Sequence, residues 1–295
     1  MKLSVVVICY NMARELPRTL RSLSTAMQRG IAAEDYEVIV VDNGSTKPFD
    51  KDECRRWLPN GSIHYLRDAG VSPVPAVNYG LQLARSDLVG VFIDGARIAS
   101  PGLLATALAA ARVHDRAVVG TIAFHLGPEV QMQSVPKGYN QVVEDALLAS
   151  SGWENDGYRL FDISALAGSS KKGCFVLPHE TNALFLTAAH WREIGGYDSG
   201  FVTPGGGLAN LDVWKRLCSE PRNQVVMLLG EATFHQVHGG IATNSPTPPL
   251  DEFHEEYRRL RGERFTPPNR RPMFFGSAAG PALRWIEASA AIARR

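Results

Sequence analysis

The chain has no cysteine pair at C-x-x-C spacing: Cys9, Cys54, Cys174 and Cys218 stand far apart. A local zinc knuckle or disulfide framework is therefore not expected, and a reducing compartment suits the four thiols. No uncharged apolar run reaches the ~18 residues that a membrane span needs. Met1-Lys2 leads straight into a short apolar stretch, with no signal-peptide architecture. The expectation is a cytoplasmic chain with no integral membrane segment, leaving peripheral membrane contact open. A net charge of +1 over 295 residues lacks the concentrated basic excess of a nucleic-acid footprint. Several catalytic fingerprints are absent as well. Cys9-Tyr10-Asn11-Met12 follows the first apolar run, without the glycines that let backbone approach a pyrophosphate in dehydrogenases. There is no G-x-x-x-x-G-K-[ST] loop of a P-loop NTPase, and no G-x-S-x-G nucleophile elbow. The glycine- and basic-rich loop that a nucleotidyltransferase carries after its first strand is missing too.

What is present is a repeated alternation of strand and helix. Leu88-Val89-Gly90-Val91-Phe92-Ile93-Asp94 is an almost wholly apolar run ending in a carboxylate. Such a run reads as a strand buried on both faces, with Asp94 at the carboxyl end where open α/β sheets bind ligands. A carboxylate there can hold a divalent cation and, through it, phosphate; bracing the loop is the alternative role. Leu3–Cys9, Glu37–Asp42, Ser62–Leu66 and Arg116–Phe124 read as further strands. Helices are expected over Ala13–Met27 (capped by Asn11), from Ser72-Pro73 to Ala84, and over Pro101–Val113. This order predicts a doubly wound, mostly parallel sheet over residues 1–125. Farther on, Cys174–Leu177, Asn182–Leu186 and Val225–Leu229 read as strands. Val142–Leu148, Thr187–Ile194 and Ala209–Cys218 read as helices. A C-terminal extension over 241–295 carries helices at Asp251–Arg261 and Pro281–Ile292. It can dock on the core, form a homodimer, or touch acidic lipid through Arg258, Arg259, Arg261, Arg264, Arg270 and Arg271.

Two strands of one sheet thus end in Asp, at Asp42 and Asp94, and a His-Gly-Gly segment follows late in the chain. Ser4-Val5-Val6-Val7-Ile8-Cys9-Tyr10-Asn11, Val41-Asp42-Asn43-Gly44-Ser45-Thr46, Ala76-Val77-Asn78-Tyr79-Gly80, Phe92-Ile93-Asp94 and Ile194-Gly195-Gly196-Tyr197-Asp198 stand in that order. Together they resemble the motifs of the family 2 nucleotide-sugar glycosyltransferases over about residues 3–240. The resemblance implies a GT-A fold, an α/β architecture of mostly parallel sheet flanked by helices, here with a helical C-terminal extension. Residues 1–125 would be the nucleotide-binding half and 126–240 the acceptor-binding half.

The resemblance implies transfer of a sugar from a UDP- or GDP-sugar to the hydroxyl of a carbohydrate, lipid-linked or small-molecule acceptor, inverting and assisted by Mn2+ or Mg2+. Asp42 would accept a hydrogen bond from the base, and Cys9, Tyr10 and Asn11 would wall the base and ribose. Asn78, Gly95 and Arg97 join the donor site, and Asp94 and His238 would hold the metal. The alternative role of Asp42 is an Asx turn, and that of His235 and His238 a pair of satisfied loop histidines. Two departures stand out. The family's D-x-D reads Asp94-Gly95-Ala96, without its second carboxylate. Its E-D pair reads Ala209-Asn210, without the expected base. Asp212 and Glu180 are the remaining candidates for that base, with helix N-terminal placement as the structural alternative for Asp212. A catalytically inactive nucleotide- or carbohydrate-binding scaffold is the runner-up reading.

Overall fold

A computed structural model describes all residues except 59, 68, 241–243, 245–248, 279, 294 and 295. Among the described residues, ten strands form one mixed sheet: β1 (Leu3–Cys9), β2 (Tyr36–Asp42), β3 (Ser62–Tyr65), β4 (Leu88–Phe92), β5 (Arg97–Ala99), β6 (Ala117–Leu126), β7 (Ser164–Leu166), β8 (Leu184–Thr187), β9 (Gln224–His235) and β10 (Met273–Gly276). The spatial order is β10-β9-β6-β8-β4-β1-β2-β3, with β5 on β9 and β7 on β6. Strands β3, β2, β1 and β4 run parallel. β8 is inserted antiparallel between β4 and β6.

The apolar strands divide their side chains between two cores, as a strand buried on both faces must. From β1 and β2, Val6, Ile8, Ile39 and Val41 enter one cluster, with Val74, Ala76 and Val77 of helix α3 (Val74–Leu83). Val5, Val7, Val38 and Val40 enter the other. There they meet Leu16 and Leu20 of α1 (Glu15–Ser22) and Leu104 and Ala107 of α4 (Leu103–Ala110). Helix α3 lies so close to β1 that a Cβ on Gly80 would stand 2.3 Å from Val6 Cγ1.

Several expectations change. Asn11 caps no helix: α1 begins at Glu15 after Arg14, with no side-chain cap. Cys174–Leu177 forms turns rather than a strand. β9 runs six residues past the expected Leu229, because it continues beside β6 and picks up β5. The C-terminal segment forms helices α9 (Leu250–Arg261) and α10 (Leu283–Ala293), numbered after α2 (Lys51–Arg56), α5 (Gln131–Ser134), α6 (Gln141–Ser151), α7 (Ala188–Glu193) and α8 (Ala209–Ser219). It is no loose appendage, since β10 pairs with β9 and Phe253 and Tyr257 of α9 are buried in the core. Two of its arginines also serve the fold: Arg261 binds Asp212, and Arg270 donates to the carbonyls of Cys218 and Glu220 at the end of α8. The boundary expected at 240–241 borders residues 241–243, which lie outside the described residues. Among the described residues, no helix is long and apolar enough to cross a membrane.

Candidate active site

Asp42, the last residue of β2, pairs with Cys9 of β1. Val7 pairs with Phe92 of β4, so Asp94, two residues on, comes level with Cys9. The two carboxylates therefore flank the end of β1 at the carboxyl edge of the parallel strands, about 10 Å apart at two strand spacings. This is where open α/β sheets bind ligands. Gly95 allows the crossing: a Cβ there would stand 2.8 Å from the Ile8 carbonyl oxygen and 3.1 Å from Cys9 Cβ.

Three strands then set a row of cationic and imidazole side chains beside Asp94. β5 puts Arg97 opposite His235, and β6 puts His125 opposite the same residue. Directly opposed residues share a face. Asp94 Oδ2 lies 3.0 Å from His235 Nε2, 3.6 Å from His238 Nε2 and 3.5 Å from Arg97 Nε. The two imidazole Nε2 atoms are 3.1 Å apart. Asp94 Oδ1 accepts the Ala96 N–H at 2.9 Å, which turns Oδ2 toward the histidines.

The tautomer of His235 follows from its neighbour. Gln131 donates its amide nitrogen to the His235 carbonyl, so its amide oxygen, 2.7 Å from His235 Nδ1, must accept. Nδ1 then carries the hydrogen, and Nε2 turns a lone pair toward Asp94. Burial, with Arg97 behind it, pushes His235 down to about 3 and keeps it neutral. Burial also opposes charge on Asp94, but His238 outweighs it and holds the carboxyl well below its usual range. Asp94, His235 and His238 bring three donor atoms within 4.8 Å of one another. One carboxylate and two imidazoles converging on a point fit a divalent first-row cation such as Mn2+.

His238 is held from behind. The Val237 N–H donates to Glu144 Oε2 at 2.9 Å, and the Val237 carbonyl accepts from Arg14 at 2.9 Å. Asn244 Oδ1 accepts the N–H groups of His238, Gly239 and Gly240. Arg97 is buried, and among the described residues its Nε and Nη1 have no hydrogen-bond partner. Buried donors require acceptors; Nε faces Asp94 Oδ2 at 3.5 Å, and the open Nη1 suits an anionic oxygen.

Glu180, in the loop before β8, accepts from Asn210 Nδ2 at 2.7 Å, and Asn210 Oδ1 accepts from the Tyr197 hydroxyl at 3.0 Å. Burial raises the Glu180 pKa against the Asn210 bond and the Arg97 charge, and Asp94 adds to the rise. Those neighbours put Glu180 in the same crevice.

Other expected site residues do different work. Asp212 is 1% exposed, with Oδ1 on Arg261 at 2.6 Å and Oδ2 on Arg216 and Arg261 at 2.8 Å each. Both oxygens engage in ion pairs, with Arg216 inside α8 and with Arg261 of α9, and the carboxylate is buried away from any substrate. Asn78 is spent likewise, donating to the Tyr197 carbonyl at 2.8 Å and accepting its N–H at 2.9 Å. The Cys9 side chain lies in the core, and its carbonyl accepts the Asn43 N–H. Asn11, at φ +53°, accepts the N–H groups of Thr46 and Lys47 and so fixes the turn after Asp42. Tyr10 is exposed at the mouth. Asp42 does make an Asx turn, accepting the Ser45 N–H through Oδ1 at 2.7 Å. His125 sits in the row but carries no sequence signal. His235, read in the sequence only as a partner of His238, comes to the site because β9 stops there, three residues before His238.

The Glycosyl transferase family 2 profile matches residues 4–166, over half of the chain. Validoxylamine A glucosyltransferase of Streptomyces hygroscopicus subsp. jinggangensis is 29% identical over 211 residues, which are 69% of this chain and 49% of that protein. The chain thus spans about half the length of the curated relatives it matches. Staphylococcus aureus TarS, residues 1–349, superposes with a TM-score of 0.53 at 16% identity, over 88% of this chain and 64% of that one. Its complex with UDP-GlcNAc gives a TM-score of 0.52 at 16% identity, over 88% and 65%. At that identity the likeness is one of fold. The profile match, the strand-end carboxylates and the shared architecture lead to one conclusion: this chain is a member of glycosyl transferase family 2.

Proposed function

We propose that the chain transfers a sugar from a nucleoside diphosphate donor to an acceptor hydroxyl, with inversion and with the help of a divalent metal. One observation carries the reading. At a single strand-end crevice, Asp94 is flanked by two histidines and by a buried arginine with an open donor, one strand from Asp42. That arrangement suits a diphosphate whose nucleoside lies toward β2. The UDP and UDP-GlcNAc complexes of TarS support a uridine donor, with GDP-sugars as the alternative. The name of the Streptomyces relatives supports a small, hydroxyl-rich acceptor.

In this mechanism Asp42 accepts a hydrogen bond from the base, and the turn held by Asn11 keeps the carboxylate in place. Arg97 gives its open Nη1 donor to a phosphate oxygen. A divalent ion held by Asp94 and His238 would add positive charge at the leaving diphosphate. Glu180, oriented by Asn210, takes the proton of the acceptor hydroxyl as that oxygen bonds to the anomeric carbon and the bond to the β-phosphate oxygen breaks. The raised Glu180 pKa suits a base better than an ordinary surface carboxylate would. Asp212 has no part in this step. A scaffold without turnover draws on Ala96 and Asn210; Glu180 offers the carboxylate that Asn210 lacks, which favours an enzyme.

Thermal-shift titrations of UDP- and GDP-sugars with Mn2+ test the donor site, because ligands of the native state raise its apparent stability. Asp42→Ala and Asp94→Asn are expected to reduce the shift at a given donor concentration. Unchanged binding in both would overturn the assignment, and donor binding with neither hydrolysis nor transfer would favour the scaffold.

A further inference from the structure

We infer that His235 completes a facial two-histidine, one-carboxylate site with Asp94 and His238, which selects Mn2+, Co2+ or Zn2+ over Mg2+ and Ca2+. The inference builds on the proposed metal site but asks a separate question: which atoms hold the ion, and hence which ion it is.

The three donor atoms are separated by 3.0, 3.1 and 3.6 Å. Metal–ligand bonds of about 2.0–2.2 Å put neighbouring octahedral ligands about 3 Å apart, so the triangle matches one face of a first-row ion. A hydrogen on His238 Nε2 explains its approach to the other two atoms, but nothing explains that of His235 Nε2 to Asp94 Oδ2 at 3.0 Å. With its hydrogen on Nδ1, His235 turns a bare lone pair toward a carboxylate oxygen, and that contact is favourable only with a positive species between the two. Gln131 supplies the support usual behind a ligating imidazole. It accepts from Nδ1, and its own oxygen also receives Asn244 Nδ2 at 3.0 Å. Mg2+ and Ca2+ take oxygen ligands, whereas imidazole suits the later first-row ions. His235 stands in for the carboxylate that Ala96 cannot supply, and in doing so changes the chemistry of the site. The opposite face of the ion is left for phosphate oxygens and water.

The test uses the full chain, without nucleotide, and metal alone. Co2+ binding is followed by visible absorption, and bound Mn2+ by pulsed electron paramagnetic resonance. One ion per chain is expected, with two nitrogen couplings, and Mg2+ should displace it only at roughly 100-fold excess or more. His238→Gln, at the less enclosed of the two histidines, should leave one nitrogen coupling. Gln131→Leu should weaken Co2+ about 10- to 100-fold with both couplings kept. Circular dichroism confirms that each variant is folded, and the wild-type measurements need no variant. An ion bound without nitrogen, or Mg2+ competing at equal concentration, overturns the inference. Two-nitrogen binding in a chain that accepts no nucleotide sugar would leave it standing and refute the proposed transfer. Sugar transfer through an all-oxygen ion would do the reverse.

Discussion

Asn210 donates its side-chain amide to Glu180 Oε2 at 2.7 Å. The residue standing where the family carries an acid has become the holder of another acid, thirty positions earlier. Glu180→Gln is expected to lower turnover about 10²- to 10⁴-fold, the range of general-base catalysis, while donor affinity stays within twofold of wild type, as in uniform loss at the chemical step. Steady-state kinetics beside a donor titration would read both; a variant with wild-type turnover rules Glu180 out as the base.

The same bond sets a pH dependence. Burial raises the Glu180 pKa and Asn210 opposes the rise. A base works only when deprotonated, so kcat/KM should fall, as pH drops, at a pH above the ordinary carboxylate range. Asn210→Ala removes a bond to the charged form and should move that limb higher. Asn210→Asp sets a second carboxylate against the first and should move it higher still. A limb unmoved in both variants would show that another group titrates.

Asp212 is predicted to matter for stability and not for chemistry. Asp212→Asn leaves Arg216 and Arg261 without their shared buried carboxylate and should cost about 3 kcal/mol. Chemical denaturation would measure the loss. Turnover per folded molecule should change less than twofold, and a large drop would return Asp212 to the mechanism.

Asn11 separates positioning from contact. Its side-chain oxygen accepts the N–H groups of Thr46 and Lys47, and its φ of +53° suits Asn or Gly. Asn11→Gly keeps the backbone but frees the turn, so nucleotide affinity should fall with little change in melting temperature. Asp42→Ala should cost about 1.5–3 kcal/mol of nucleotide binding by calorimetry. Equal affinity for nucleotides with and without a base N–H donor in the wild type would remove the role given to Asp42.

The first 125 residues are legible in the sequence because β1, β2 and β4 are largely apolar runs separated by helical patterns, with only β3 (Ser62-Ile63-His64-Tyr65) a weaker signal. Asp42 and Asp94 are legible because both end such runs. The later half is harder for a physical reason. β5, β7 and β10 are three or four residues long and gain their partners only from distant segments. His235 and His238 differ by an odd number, which in a continuing strand would put them on opposite faces. Only the end of β9 lets them meet. Asp212 and Asn78 sit in motif positions, yet their polar atoms are consumed by Arg261, Arg216 and the Tyr197 backbone. A motif gives the residue type and leaves its bonding open.

The antiparallel β8 has a consequence for how the protein is made. It joins β4 to β6, so the sheet is not continuous until residue 187 has been synthesised. A ribosome-bound chain of about 150 residues would present the open flank of β4, an unpaired edge prone to association. The four parallel strands before it therefore form a half-sheet that waits for its keystone. Folding should be slow, and paced by contacts between segments about a hundred residues apart.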